Sequence, residues 1–389
     1  MVLRSGRSLG FVLVGGAIWA CGTTAPAAQS QTSCDDVQVL VAASNLTSSE
    51  VCGAPNHCEL GQLTTGANLG TDPQLAMSNG RTFFINRVGT PGDLIFELDP
   101  KCGRPIADGI SVHGNAVADV NPHDVAAAPD GSLFVVLYNV PRIDVIRGKA
   151  VESTIDLSSY DDDGNPQAES IQIVDVGGVP KAFVALERLD DNDPVNRLSS
   201  KRPSWMLRID VATKKVEDTI VLAGRNPFNP MAVAGGALFL AEPGNFDALG
   251  EPAAGIERFD TSTSTTQLLV KEQDLGGSVA EIAVTDGCGA AIVAGPQTNV
   301  NPTSLVTFDP SSGKVLTSAA APIFGPTPGY DLQALAWRGD SLYVGDRRPG
   351  ASGYPIHVFE REPSTCILHE VVGREIVLPL QAVALRPAL

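Results

Sequence analysis

The sequence predicts an all-β fold, a seven-bladed β-propeller whose two ends share one blade. The segment 123–139, HDVAAAPDGSLFVVLYN, has two apolar runs around a Pro-Asp-Gly turn, which is typical of a β-hairpin. Similar hairpins recur at intervals of about 50 residues, and a fixed period of that size indicates a repeat architecture. Gly and Pro are abundant, at 39 and 28 residues, which favours a turn-rich all-β chain.

Each repeat contains four predicted strands, named a to d from the central channel outward. Strands a and b form the hairpin, and strand c ends in most repeats at an Asp that caps the turn into strand d. The hairpins are predicted at 74–87, 123–139, 170–188, 230–245, 281–297 and 332–348. The c strands are predicted at 94–100, 143–148, 206–213, 256–263, 305–313 and 356–362, and d strands at 152–157, 216–222, 266–271, 315–320 and 367–372.

The chain ends with one more a-type strand, 380–387, which has no partners after it. The missing b, c and d strands are predicted at the other end of the chain, at 37–44, 49–54 and 59–66. Pairing of the two ends would close the ring and remove the open sheet edges of a linear array. The propeller is therefore expected to span 37–389.

A targeting segment is predicted at 1–21, where two arginines precede an apolar run that is too short to span a bilayer. Its end, Ile-Trp-Ala-Cys, resembles a bacterial lipobox, which implies a lipoprotein signal peptide and acylation of Cys21. Gly22 after this cysteine implies, by the same resemblance, the outer membrane. Ordinary signal cleavage near residue 27 is the alternative. The segment 22–36 is expected to be a flexible tether.

Six cysteines remain if Cys21 is lipidated, and an even count in an exported chain suggests three disulfides. Cys52 and Cys58 lie symmetrically about a Gly-Ala-Pro-Asn turn, so they are predicted to bridge neighbouring strands. The sequence leaves the pairing of the other four open. These are Cys34, Cys102, Cys288 and Cys366.

Binding is expected on one rim of the propeller. The b–c and d–a connections share this rim, which we call the long-loop rim, and the short a–b and c–d turns share the opposite, short-turn rim. Long loops on one side of a rigid scaffold are where binding usually resides. The long-loop segments are 114–124, 139–142, 158–168, 187–205, 242–255, 295–303, 324–331 and 346–355.

A calcium site is one hypothesis for the acidic stretch Tyr-Asp-Asp-Asp-Gly-Asn-Pro at 160–166. Asp161, Asp163 and Asn165 alternate around a glycine, and Glu169 is the nearest further carboxylate. Hard cations such as Ca²⁺ require several oxygen ligands on a tight loop. A solvated acidic turn that caps backbone groups is the alternative. No other cofactor is expected.

A second candidate site is a set of charged residues near the starts of a strands and the ends of b strands, where they would face the channel mouth. Converging carboxylates would raise one another's pKa or hold a cation, and an ion-paired rim is the alternative. The set contains Asp124, Glu187, Arg188, Glu242, Glu281, Asp331 and Asp346.

Few features of the sequence favour catalysis. No Gly-x-Ser-x-Gly motif is present, and the five histidines are scattered, with no evident partners for His357 or His369. The formal charge of −17 argues against a nucleic-acid partner, because phosphates are bound by Lys and Arg.

The repeats resemble bacterial extracytoplasmic propellers of the YVTN and WD40-like type. Segments 160–166, 183–191, 207–216 and 224–228 in particular resemble uncharacterised propeller lipoproteins of bacterial envelopes, although the YVTN tetrapeptide is absent. The resemblance covers 37–389 and implies roles in binding or scaffolding without catalytic residues to carry over.

The expected function is therefore that of a monomeric, lipid-anchored binding module that takes a protein, peptide or glycan through its long-loop rim. Its membrane contact would be the N-terminal anchor alone. The alternative is a metal-dependent, lactonase-like hydrolase that uses the channel carboxylates.

Overall fold

A computed structural model describes residues 37–44, 49–54, 72–89, 92–101, 103, 105–116, 118–193, 199–246, 250–295, 301–376 and 382–387. Cys21 and Cys58 lie outside these residues, so lipidation and the Cys52–Cys58 bridge stay predictions. The predicted all-β class is confirmed, because helix in the described chain is limited to a 3-10 turn at Ser158–Tyr160 and to α1 at Glu272–Leu275. No helix among the described residues has the length and hydrophobicity to cross a membrane.

The chain begins with two strands, β1 (Val39–Ser44) and β2 (Ser49–Ala54). Six antiparallel sheets follow among the described strands, each built from one continuous stretch of chain and numbered here as blades one to six. Blades one to three contain β3 (Pro73–Ser78), β4 (Arg81–Asn86), β5 (Leu94–Leu98) and β6 (Ile110–Ser111); β7 (Pro122–Ala127), β8 (Leu133–Leu137), β9 (Arg142–Arg147) and β10 (Ala150–Asp156); and β11 (Ala168–Val176), β12 (Val179–Leu186), β13 (Trp205–Asp210) and β14 (Lys215–Val221).

Blades four to six continue the pattern, and all six predicted hairpins and c strands are confirmed. These blades contain β15 (Phe228–Ala234), β16 (Ala237–Glu242), β17 (Gly255–Asp260) and β18 (Thr265–Lys271); β19 (Ser278–Thr285), β20 (Cys288–Ala294) and β21 (Thr303–Phe308); and β22 (Leu332–Arg338), β23 (Ser341–Asp346), β24 (Tyr354–Arg361) and β25 (Leu368–Ile376).

One predicted d strand is wrong. The stretch 315–320 in blade five forms only isolated bridges, between Phe308 and Val315 and between Ser318 and Ala321. Three prolines follow between residues 322 and 328. Proline has no N–H to donate to a sheet, so these prolines prevent the bridged stretch from extending into a regular fourth strand after residue 321.

The two ends of the chain meet in one sheet, as predicted. The last strand, β26 (Ala382–Pro387), pairs antiparallel with β1, with Val39 opposite Pro387 and Ser44 opposite Ala382. β1 also pairs with β2, so this terminal sheet has the order β2-β1-β26. The structure therefore shows a β-propeller of six blades rather than the predicted seven. The difference is this terminal sheet, which the prediction counted as a blade and which has three described strands rather than four.

The inner strands lie side by side around a central channel. β3 lies next to β7, and the neighbours continue through β11, β15 and β19 to β22, while the backbone of β26 lies between β22 and β3. Each gap between sheets is filled by apolar side chains from both sides, so most strands are buried on two faces. This explains why apolar and polar residues alternate poorly along the sequence.

A disulfide between Cys288 and Cys366 joins blades five and six on the short-turn rim, with the two Cα atoms 5.0 Å apart. Cys288 begins β20 and Cys366 lies in the turn before β25. The bridge therefore connects neighbouring blades, a pairing that the sequence left open.

Deletion of residues 376–389 should destabilise the whole propeller, because it removes β26 and leaves β1 without its inner partner. Loss of that strand pairing should lower the free energy of unfolding by roughly 5 kcal/mol or more, and the melting temperature by roughly 10 °C. Calorimetry measures the change. Removal of Ala388 and Leu389 alone is the control. An unchanged melting temperature in the longer deletion would show that β26 does not support the ring.

Candidate functional site

The inner strands of blades two to six each carry a β-bulge near their start, on the long-loop rim. A bulge inserts an extra residue and turns its side chain away from the regular alternation. Because the bulges occupy equivalent places, side chains from successive blades meet around the channel. The bulge residues include His123, Glu169, Asn229, Ala280 and Ala334.

Four of these residues form a hydrogen-bonded chain, which we call the channel belt. His123 Nδ1 lies 2.5 Å from Glu169 Oε2, and the Asn229 backbone N–H donates to Glu169 Oε1 over 2.9 Å. The Asn229 side-chain amide donates to Ala280 O over 2.8 Å and to Glu281 Oε2 over 3.1 Å. The channel belt thereby ties blades two, three, four and five together.

Charge in the channel belt resides on Glu169. Burial works against its ionisation, but His123, Arg87 and the Asn229 N–H together lower the pKa of Glu169. Burial lowers the pKa of His123, so we assign a neutral ring whose Nδ1–H donates to the carboxylate.

Tyr138 and Glu187 extend the channel belt at blades two and three. The Tyr138 ring stacks on His123 with centroids 4.2 Å apart, and its hydroxyl donates to Glu187 Oε2 over 2.5 Å. Burial and the nearby charge of Glu169 raise the pKa of Glu187 well above its ordinary value, and burial also raises the pKa of Tyr138. The raised pKa favours the protonated form of Glu187. Clusters of buried groups with shifted pKa values mark candidate functional sites.

The proposed calcium ligands do not all come together. Arg202 Nη1 contacts Asp161 Oδ1 and lies 3.2 Å from Asp163 Oδ2. The Asn165 amide donates to Tyr138 O over 3.2 Å, whereas Glu169 belongs to the channel belt. A cation at this loop would have to displace the guanidinium of Arg202. The calcium site stays a prediction.

Arg188 joins the connection that leads into blade three to the β12–β13 connection within that blade. Its guanidinium lies 3.5 Å from the ring centroid of Trp205, donates from Nε to Tyr160 O over 2.9 Å and from Nη1 to Pro203 O over 2.9 Å. Cation–π stacking and two charge-assisted hydrogen bonds together compensate the burial of this charge, although burial lowers the pKa of Arg188.

Blade four continues this set of loop contacts. The Ser200 N–H donates to Asn245 Oδ1 over 2.8 Å, and the Asn245 amide donates to Glu251 Oε1 over 2.7 Å. The Gly250 N–H donates to Glu272 Oε1 over 2.7 Å. Loops from blades three, four and five are therefore connected by side-chain contacts across the long-loop rim.

The predicted channel-mouth set is spread over several groups rather than one. Asp124 accepts hydrogen bonds from the backbone N–H groups of Val125 and Ile171, and Asp331 accepts one from Gly329. Of the set, Asp124 lines the lower of the two channel cavities described below, and Glu281 lines both. Glu187 belongs to the channel belt and Arg188 to the rim loops. Glu242 and Asp346 belong to separate groups.

Glu242 forms a buried carboxyl pair with Glu257, a residue that sequence analysis missed. The Gly224 N–H donates to Glu257 Oε2 over 2.6 Å, but no described donor reaches Glu257 Oε1 or either oxygen of Glu242. Burial, then the proximity of the two carboxyls, raises the pKa of Glu242 well above its ordinary value. The raised pKa therefore favours the protonated form of Glu242. A Cβ on Gly224 would lie 1.5 Å from Glu242 Oε2, which explains the glycine.

Asp346 belongs to a group in blade six. It lies 2.5 Å from Arg348 Nη2 and 3.1 Å from His357 Nε2, while His357 Nδ1 lies 2.8 Å from Glu370 Oε1. Burial opposes protonation of the ring, but the two carboxylates raise the pKa of His357. His357 therefore has two partners that the sequence did not indicate, because they come from neighbouring strands.

Two cavities lie along the channel. The lower one, about 340 Å³, is lined by Asp124, Glu281 and mainly apolar side chains such as Met77, Met231 and Trp337. The upper one lies at the long-loop rim, has a volume of about 180 Å³ and is more polar. We call it the upper chamber. Its described lining is Asp72, Pro73, Gln74, Arg87, Phe228, Asn229, Ala280, Glu281, Tyr330, Leu332 and Gln333.

Asp93, His113 and Asp119 form the one described group of three residues that could hold a metal ion, with ligand atoms within 4.8 Å of one another. Asp93 is buried and already accepts N–H groups from Val120 and Asn121, and His113 Nδ1 lies 2.6 Å from its Oδ2. Hydrogen bonding to Asp93 raises the pKa of His113. These contacts complete the group without a metal.

Comparison with known proteins supports the fold. No protein-family model and no curated protein matches this sequence. A putative 6-phosphogluconolactonase from Bacteroides uniformis is 11% identical, with a TM-score of 0.55 over 90% of this chain and 99% of that chain. A protein from Lactobacillus plantarum is 12% identical, with a TM-score of 0.50 over 90% and 99% of the two chains. The WD40 repeats of RRP9 are 12% identical, with a TM-score of 0.49 over 81% and 86%. At identities this low, the first two of these matches show the fold alone.

Glu242→Gln should change how stability depends on pH. The folded protein holds a proton at Glu242 that the unfolded chain releases above about pH 4.3, so wild-type stability should fall as pH rises from 5 towards the raised pKa. In the variant, the free energy of unfolding should fall less steeply with pH, by up to about 1.4 kcal/mol per pH unit. Urea unfolding at pH 5 and pH 8 measures the difference.

The exposed Glu360→Gln on β24 is the matched control. If the free energy of unfolding changes equally with pH in the wild type and in Glu242→Gln, the folded carboxyl pair holds no extra proton.

Proposed function

We propose that this protein is a binding module of the cell envelope that takes a protein, peptide or glycan partner through its long-loop rim. The observation that carries the proposal is the network of partly buried contacts between loops of different blades. Arg188 and Arg202 hold the β12–β13 connection of blade three against the connection that leads into this blade, and Asn245 joins the β12–β13 connection to blade four. A surface held in one conformation before binding loses little entropy when a partner docks.

We also propose that the terminal sheet is a seventh blade that closes the ring. β1 is buried on both faces, which supports this role. Val39, Val41 and Ala43 pack against blade six, while Leu40 and Ala42 pack against blade one. A sheet packed on two faces between its neighbours is the arrangement of a propeller blade.

The anchor is a separate proposal, based on the sequence. A lipid on Cys21 would hold the protein at the outer membrane, and 22–36 would be the tether to the propeller. Two or more acyl chains on one cysteine give stable attachment, whereas a single chain gives marginal attachment.

A metal-dependent hydrolase is the alternative, and the grouping of Asp93, His113 and Asp119 favours it. The contacts described above fill the acceptor positions of Asp93, which favours a structural role for the group. The channel carboxylates that this alternative requires, including Asp124, Glu242 and Asp346, lie in different groups.

Photo-crosslinking should locate the binding surface. p-Benzoylphenylalanine at the exposed rim positions Asp162 and Lys201 should give adducts when full-length protein is irradiated in its native envelope. The same residue at Lys149 and Lys215, exposed on the opposite short-turn rim, should give none. Mass shifts of the purified protein measure the adducts.

Adducts of equal yield from both rims, or from the short-turn rim alone, would contradict binding through the long loops. One stoichiometric metal ion per purified chain, together with no rim adduct, would favour the hydrolase.

Cys21→Ser should move the protein from the membrane fraction to the soluble fraction, because acylation requires the thiol. Cys34→Ser keeps the lipobox cysteine and is the matched control. Immunoblots of fractionated cells measure the distribution. Membrane retention of Cys21→Ser, with the signal peptide removed, would overturn the anchor.

A further inference from the structure

We propose that the upper chamber is a subsite for one neutral sugar ring, so that the partner of the long-loop rim is a glycan. This inference rests on the proposed binding function and names its ligand class. The polar and aromatic lining of the upper chamber, its size and its charge balance lead to it.

Two aromatic rings line the upper chamber. Phe228 is held by an edge-to-face contact with Phe246, at 5.1 Å between centroids and 82° between planes. Tyr330 lines the chamber from the connection before β22. The faces of a pyranose that carry C–H groups pack on aromatic rings, and held rings lose little conformational freedom on binding.

Polar groups in the same chamber have unused hydrogen-bonding capacity. No hydrogen bond within the described part of the chain uses the Tyr330 hydroxyl or the Gln333 side-chain amide, and Arg87 Nε has no acceptor. Burial and the nearby Glu281 raise the pKa of Tyr330 to about 12, so its hydroxyl remains a donor at neutral pH. A ligand that offers several hydroxyl groups would satisfy donors and acceptors together.

The charges that line the chamber favour a neutral ligand. Arg87 Nη2 lies 2.8 Å from Asp72 Oδ2, so its positive charge has a partner, and Glu281 accepts a hydrogen bond from Asn229. An anion would be repelled by Asp72 and Glu281, and the charged groups of the lining already have partners within the protein. The Asp72 side chain is 37% exposed, which opens the chamber towards solvent on the long-loop rim.

Size distinguishes a sugar ring from larger ligands. The chamber volume of about 180 Å³ is below the range of roughly 300–1,000 Å³ for drug-sized ligands, and it fits one ring. An apolar peptide side chain of that size would leave the Tyr330 and Gln333 groups without partners, which is unfavourable in a buried site. The remaining units of a glycan would lie on the loops of the long-loop rim that Arg188, Arg202 and Asn245 hold in place.

The test uses the full mature chain and a panel of methyl glycosides of glucose, galactose, mannose and N-acetylglucosamine. Saturation-transfer NMR and calorimetric titration should detect at least one glycoside with a millimolar Kd. Gln333→Ala and Tyr330→Phe should each raise that Kd by about 10-fold, the effect of one lost hydrogen bond. Gln267→Ala and Tyr354→Phe, outside the chamber, are the matched controls and should leave it unchanged.

No binding of any glycoside up to about 50 mM, which corresponds to less than about 2 kcal/mol of binding free energy, would overturn the inference. A Kd that neither chamber variant changes would also overturn it. If the crosslinking experiment gives a protease-sensitive adduct on the rim and no glycoside binds, the partner is a peptide or protein and the proposed binding function stands. If a glycoside binds and the chamber variants weaken it, but no adduct forms on the rim, the sugar subsite stands and binding through the long-loop rim is wrong.

Discussion

The pairing of β1 with β26 is the constraint on which the rest of the architecture depends. β1 is buried between blades six and one, and its partner β26 lies beside the inner strands β22 and β3. Without this sheet, two blades would each expose an apolar face, and the spacing of the inner strands would not be fixed. The hydrogen bonds between His123, Glu169 and Asn229 require that spacing, because each one crosses from one blade to the next. The channel and its upper chamber therefore depend on how the chain ends meet.

The bulges convert this ring into a site. A regular strand would direct the side chains of His123 and Glu169 against the neighbouring blades, whereas the bulges turn them towards one another at the channel. Burying so many polar groups is unfavourable unless each finds a partner. The channel belt supplies partners from adjacent blades, so it stabilises the ring at the same rim that carries the long loops.

Features with local causes could be predicted from the sequence, and features that depend on register could not. The hairpins could be predicted from the turn residues and from the repeat of about 50 residues. The pairing of the chain ends could be predicted because the last strand, of type a, has no b strand after it in the sequence. Glu169 was grouped with Asp161 because the two are close in sequence, yet the bulge in β11 places it in the channel belt. The partners of His357 and of Glu242 lie across strands, and the Cys288–Cys366 bridge depends on which turns of two blades meet. Sequence spacing does not report such distances.

The internal pairing of the ionisable groups also bears on what a ligand can encounter. Glu169 is matched by His123, Glu187 by Tyr138 and Asp161 by Arg202. A catalytic acid or base needs a reactive position directed at its substrate, and in these described pairs that position is already used within the protein. What remains towards the upper chamber is hydrogen bonding by Tyr330, Gln333 and Arg87 and the ring of Phe228. Groups of this kind recognise shape and hydroxyl pattern rather than transfer protons, and this favours binding over catalysis at the long-loop rim.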